Sequence, residues 1–193
     1  MGIAYSLIRA KPEVVDQLRG RPKAVAEFVY QDPDAYEPPK PGFFARLSRA
    51  GVVSDNAPVP DRGKDDEADL DKAWHLVHYL LTGKTGRVEG PLGLIADDLH
   101  PLADLDLGLG KPNVISVDAT KAFAEAAQSI SDEVFLARFI PEQMPTDELY
   151  MGDVVARGDH DDMKEYSLEN FHFLRDFAVA AARNGEAIIT YYT

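Results

Sequence analysis

Two strand-type runs stand near opposite ends of the sequence, IAYSLIR at Ile3 to Arg9 and AIITYY at Ala187 to Tyr192. Neither is stable alone, because an isolated strand leaves its backbone donors and acceptors unpaired. A third short run, Asn113 to Val117, completes the set. Together they predict an α+β fold, in which one small, mostly antiparallel sheet packs against several helices that cover it on one side. No repeat of 20 to 50 residues is visible, and the 193 residues fit a single domain with one core.

Between the strands the punctuation is helical. Pro12 suits a first helical turn and predicts a helix over Pro12 to Leu18. Gly20 and Pro22 repeat the signal, and Ala24, Val25, Phe28 and Val29 keep helical spacing up to the turn-rich QDPDAYEPPKPG. Phe43, Phe44 and Leu47 suggest one more short amphipathic helix. Leu70 to Leu81 reads as a helix closed by Gly83, Asp118 as the cap of a helix to about Ile130, and Ser131 as the cap of another ending near Pro141. Leu168, Phe171, Leu174, Ala178 and Ala181 form a stripe that Asn184-Gly185 terminates. Ser54 to Ala68 holds two prolines, one glycine and five acids with little to bury, and reads as a mobile acidic loop.

Charge narrows the classes of partner. The formal charge is −13, and it is uneven: residues 1 to 49 carry 8 basic and 6 acidic groups, and the remainder 12 basic and 27 acidic. A surface of that sign repels phosphate backbones and anionic membranes, so neither nucleic acid nor membrane is an expected partner. A basic protein is the partner that fits. There is no cysteine, so disulfides and thiolate chemistry are excluded and any zinc site would need His, Asp and Glu. The start lacks the features of a secretory signal, and a cytoplasmic location is expected.

The candidate site lies in ADLDKAWHLVHYLLTGKTG, Ala68 to Gly86. At about 100° per residue, Leu70, Ala73, Trp74, Val77, Leu80 and Leu81 face the core, and Asp71, His75 and His78 line up beside Trp74 on the edge of that face. Asp71 could orient an imidazole as a general base, His75 and His78 could supply metal ligands, and Trp74 could wall a binding cleft. The pattern is not that of a zincin helix, whose histidines stand four apart with a Glu between. The competing expectation is that Asp71 and the two histidines cap the rim of the core through hydrogen bonds to backbone or to each other. Gly83-Lys84-Thr85 follows a helix and lacks the earlier glycine of a phosphate loop, so it reads as a helix end. Arg157 to Asp162, RGDHDD, reads as a solvated turn before the last helix, and His100 and His172 are the histidines that could join the first pair in space.

MGIAYSLIRAKPE, LDKAWHLVHYLLTG followed by GPLGLI, AQSISDEVFLARFIPEQM and LENFHFLRDFAVAAARNGEAIITYYT are spread along the chain from Met1 to Thr193. In these segments the sequence resembles the YfbM-like family of bacterial proteins, whose function is unknown. The resemblance implies a compact cytoplasmic α+β fold and brings no activity or cofactor with it. Two uses are therefore expected: a non-enzymatic acidic binding or inhibitor-type domain for a basic protein, or a hydrolase or metal-dependent enzyme working beside Asp71, His75 and His78.

Overall fold

The structure, a computed structural model, describes residues 2–36, 57–96, 100–145 and 148–193. The helix expected around Phe43 to Leu47 and the first residues of the acidic loop, 54–56, lie outside them. In chain order the described elements are β1 (Tyr5–Ala10), α1 (Pro12–Leu18), α2 (Pro22–Tyr30), β2 (Glu67–Asp69), α3 (Trp74–Thr82), β3 (Asn113–Ile115), α4 (Val117–Gln128), α5 (Asp132–Leu136), α6 (Gly152–Arg157), α7 (His160–Asn184) and β4 (Ala187–Tyr192).

The strands form one antiparallel sheet in the order β2-β1-β4-β3. Tyr5 pairs with Tyr192 and Ala10 with Ala187, so the first and last strands run alongside each other over their full length. The pairing continues past Tyr5, where Ala4 and Thr193 exchange backbone hydrogen bonds of 2.8 and 3.1 Å.

Helices cover both faces of this sheet, where the sequence suggested cover on one. The reason is that the central strands send apolar residues to both faces, Leu7 and Ile188 to one and Ile8 and Ile189 to the other, leaving neither face solvated. Leu7, Ile115 and Ile188 point into a large cluster with Leu76, Leu80, Phe123, Phe135, Phe171 and Leu174 from α3, α4, α5 and α7. Ile8, Val114, Ile189 and Tyr191 point the other way, against Val15 and Leu18 of α1 and Val25, Phe28 and Val29 of α2. Leu102, Ala103 and Leu105 close the second face from the leucine-rich segment after His100, which is held by backbone bonds from Leu102 to Pro112 and from Val114 to His100.

Several boundaries differ from the sequence reading for local reasons. The third strand stops at Ile115 because Ser116, not Asp118, is the cap of α4: its hydroxyl accepts from the Ala119 N–H. Ser131 caps α5 as expected, but α5 ends at Leu136, far short of Pro141. The last helix starts inside RGDHDD, because the Asp159 carboxylate accepts from the Asp161 and Asp162 amides and draws both aspartates into the first turn. Within the acidic segment, residues 67 and 68 are strand rather than loop. Arg9 donates to the Asp65 carbonyl and the Asp66 carboxylate, and Gly63 donates to Asp66, which fixes a 3-10 turn at Lys64–Asp66 just before β2.

Candidate functional site

The local path into α3 decides the site. Asp69 ends β2 and accepts at 2.7 Å from the Asp71 amide, closing an Asx turn. Asp71 takes φ +46°, in the left-handed region, and a 3-10 turn over Asp71–Ala73 precedes the helix, which starts only at Trp74. The helical projection that aligned Asp71 with the two histidines therefore fails at its first residue. The Asp71 carboxylate turns to α7, where it accepts from the Tyr166 hydroxyl at 2.8 Å. Burial, and then that carboxylate, push the Tyr166 phenol above its usual range.

His75 and His78 remain on one side of α3, with ring centroids 6.5 Å apart. His75 Nε2 lies 2.7 Å from the Thr85 carbonyl oxygen, which can only accept, so Nε2 carries the proton. Nδ1 accepts from the Tyr150 amide at 3.0 Å. Both ring nitrogens are thereby committed to backbone, on two different segments. His78 is fully buried and donates from Nε2 to the Gly86 carbonyl at 2.8 Å, while its Nδ1 is enclosed without a partner. Burial lowers the His78 pKa, the Gly86 bond opposes that shift, and the nearby His75 adds to it.

The imidazoles therefore hold the loop after α3. Gly83 ends the helix at φ +73°, a conformation that costs a side-chain residue energy, and Arg138 donates to the Leu80 and Leu81 carbonyls that the helix end leaves open. Gly93 must be glycine for space, since a Cβ there would stand 2.1 Å from the Val88 carbonyl oxygen. Between this loop and α4 lies a hollow of about 460 Å³, lined among others by Arg87, Glu89, Pro91, Ala119 and Ala122. The sequence reading passed over that hollow. Its signals were the close glycines and the small residues facing outward on α4.

Trp74 does not wall an open cleft. It stacks on His75 at 4.8 Å, lies 5.2 Å from the Tyr192 ring and 6.0 Å from Tyr150, and donates from its indole to the Ile3 carbonyl. Tyr150 reaches the same segment through a short hydrogen bond from the Ile3 amide to its hydroxyl. His172 pairs with Asp132 at 2.7 Å, and His100 lends its carbonyl to the sheet, so neither is seen to join His75 and His78. Among the described residues no three His, Asp or Glu side chains are grouped to hold a metal ion. A ligand or general base needs an accessible nitrogen lone pair. In His75 that lone pair is occupied, and in His78 it is sealed in the core.

Among the described residues no helix is long and apolar enough to cross a membrane. No curated protein matches the sequence. The chain superposes on the crystal structure of a protein of unknown function, YfbM from Escherichia coli, with a TM-score of 0.58 over 99% of both chains at 16% identity, a likeness of fold. Residues 1–191 match the family described as a domain of unknown function, DUF1877, and the chain belongs to that family.

Proposed function

We propose that the protein is a non-enzymatic, cytoplasmic binding domain of the inhibitor type that engages a basic protein through the face built from α5, α6 and the first half of α7. The observation that carries this reading is the placement of unpaired carboxylates. Residues 131 to 170 hold eleven acidic and three basic residues. The three cations are already engaged: Arg138 on the end of α3, Arg157 on Asp153, and Lys164 on Asp161. Glu133, Glu142, Asp162, Glu165 and Glu169 have no ion pair among the described residues. On these elements and just beyond them, Val134 is 54% and Phe173 46% exposed, with Ile140 and Val154 somewhat less so. Apolar side chains inside a field of one sign suit a partner of the opposite sign that also buries apolar surface.

The test is capture from cleared lysate of the source cells at low and high salt. The bait is the native protein, one variant with Glu133, Glu142, Asp162 and Glu169 changed to Lys, and one with four reversals at Asp61, Asp65, Asp104 and Asp106. A basic protein held by the native chain and by the second variant, released by salt and lost in the first variant, is the expected result. Absence of any salt-sensitive partner, or equal loss in both variants, would remove the proposal.

A further inference from the structure

We propose that His75 is an acid-released latch, which ties the 148–152 turn to the 84–86 loop while its ring is neutral and lets the turn go when the ring is protonated. The geometry gives the ring a single workable proton arrangement. Thr85 offers a carbonyl to Nε2, and Tyr150 offers an N–H to Nδ1. Protonation leaves the first bond intact and turns the second into two donors facing each other. Acid therefore severs the tie to the turn and keeps the tie to the loop. The turn loses one hydrogen bond; among the described residues the Thr85 hydroxyl on Glu148, the Ile3 amide on the Tyr150 hydroxyl, the Trp74 ring against Tyr150 and the burial of Leu149 still hold it, and Gly152 opens α6 directly after it.

Histidine is the side chain that ordinarily changes its charge between about pH 5 and 8. The charged and titratable groups around it are Glu148, one hydrogen bond away through Thr85, His78 on the same helix, Lys72 in the turn before α3, and Lys84 and Arg87 in the loop after it. His78 responds to acid as well. Its lowered pKa means that the stability its neutral form contributes is complete above about pH 6.5 and is lost as pH falls below that value. His78, however, donates only to Gly86 and has no bond to the turn. If the binding face proposed above is correct, the latch regulates it, because α6 follows the turn and belongs to that face; the latch itself does not depend on a partner.

The experiment is amide hydrogen exchange of the full chain at pH 7.5 and pH 5.0, corrected for the intrinsic exchange rate and read at Tyr150 and over 148–152. Protection there is expected to fall about three- to tenfold in acid, the worth of one lost hydrogen bond, with Gly86 changing less. In His75→Asn the amide oxygen takes the place of Nδ1 without titrating, and protection is expected to stay level. In His75→Gln the side chain reaches Thr85 but leaves Tyr150 unmet, and protection is expected to be low at both values. Equal protection of the native chain at the two pH values overturns the latch, as does an Asn variant that loses protection like the native chain. If neither variant folds, nitrogen NMR of His75 in the native chain decides: a ring without a proton on Nε2 at pH 7.5 refutes it. A latch that works while no partner is captured at either pH would retire the binding face and leave the latch standing.

Discussion

The first face of the sheet buries three phenylalanines completely, Phe123, Phe135 and Phe171, and stacks the last two at 4.4 Å, whereas the second is closed largely by Ala24, Val25, Ala26 and Val29 of α2 with Leu102 and Ala103 from a loop. The first face is thick, made of long elements, and carries α5 to α7 on its outside together with the loops that the histidines fasten. The second is thin, and apart from Leu18 and Phe28 its helical cover is made of small side chains. Because β1 and β4 send alternate residues to each face, neither cluster can dissolve without stripping the strands that the other needs. The contrast is one of mass, and the two sides share a single cooperative transition.

Three substitutions sharpen or break that comparison. Phe171→Ala removes a ring from the thick side and is expected to cost about 3–5 kcal/mol in denaturant unfolding; a loss below about 1 kcal/mol would mean that α5 closes over the gap and the stack is not a fixed part of the core. Val25→Ala on the thin side is expected to cost about 2 kcal/mol, from two buried methyl groups and the small cavity they leave. Trp74 is the chain's one tryptophan and lies on the opposite side, so its fluorescence should shift with the circular dichroism. If the fluorescence transition stays in place while the dichroism moves, the sides unfold separately and the shared-strand argument is lost. Arg157→Ala breaks only an exposed pair on α6, with side chains 77% and 69% accessible, and should change stability by no more than about 0.5 kcal/mol. A larger effect would place α6 deeper in the fold than its surface position suggests.

What the sequence made legible is what local chemistry alone decides. Pro12 and Leu18 bound α1 as read, Gly83 closes α3, and the terminal runs are strands. What it hid depends on distant partners. Glu67–Asp69, three residues with two acids, has no strand signal of its own and is extended because Ser6, Leu7 and Ile8 offer it an edge. Gly152–Arg157 is too short and too glycine-led to announce a helix. The second layer was missed because alanines and valines on α2, and leucines scattered through a loop, carry no periodic message about which side of a sheet they will cover.

The candidate site divides in the same way. The spacing of His75 and His78 survived, and both bond to backbone, although His78 lies inside the core rather than at its rim. Asp71 left the group because an Asx turn overrode the helical projection at one residue. No pattern in the sequence joins Tyr150 to His75, seventy-five positions apart; that bond exists only in the folded chain, where the 148–152 turn lies against α3.

The order of strands has a bearing on how a cell makes this protein. β4 sits between β1 and β3, so the central position of the sheet is reserved for residues 187–192 while everything before them is being translated. Until those residues leave the ribosome, β1 and β3 have no common partner and two apolar layers wait with an open slot between them. A nascent chain stalled anywhere short of Ala187 would therefore present sticky strand edges, and the sheet can close only once residues 187–192 have emerged.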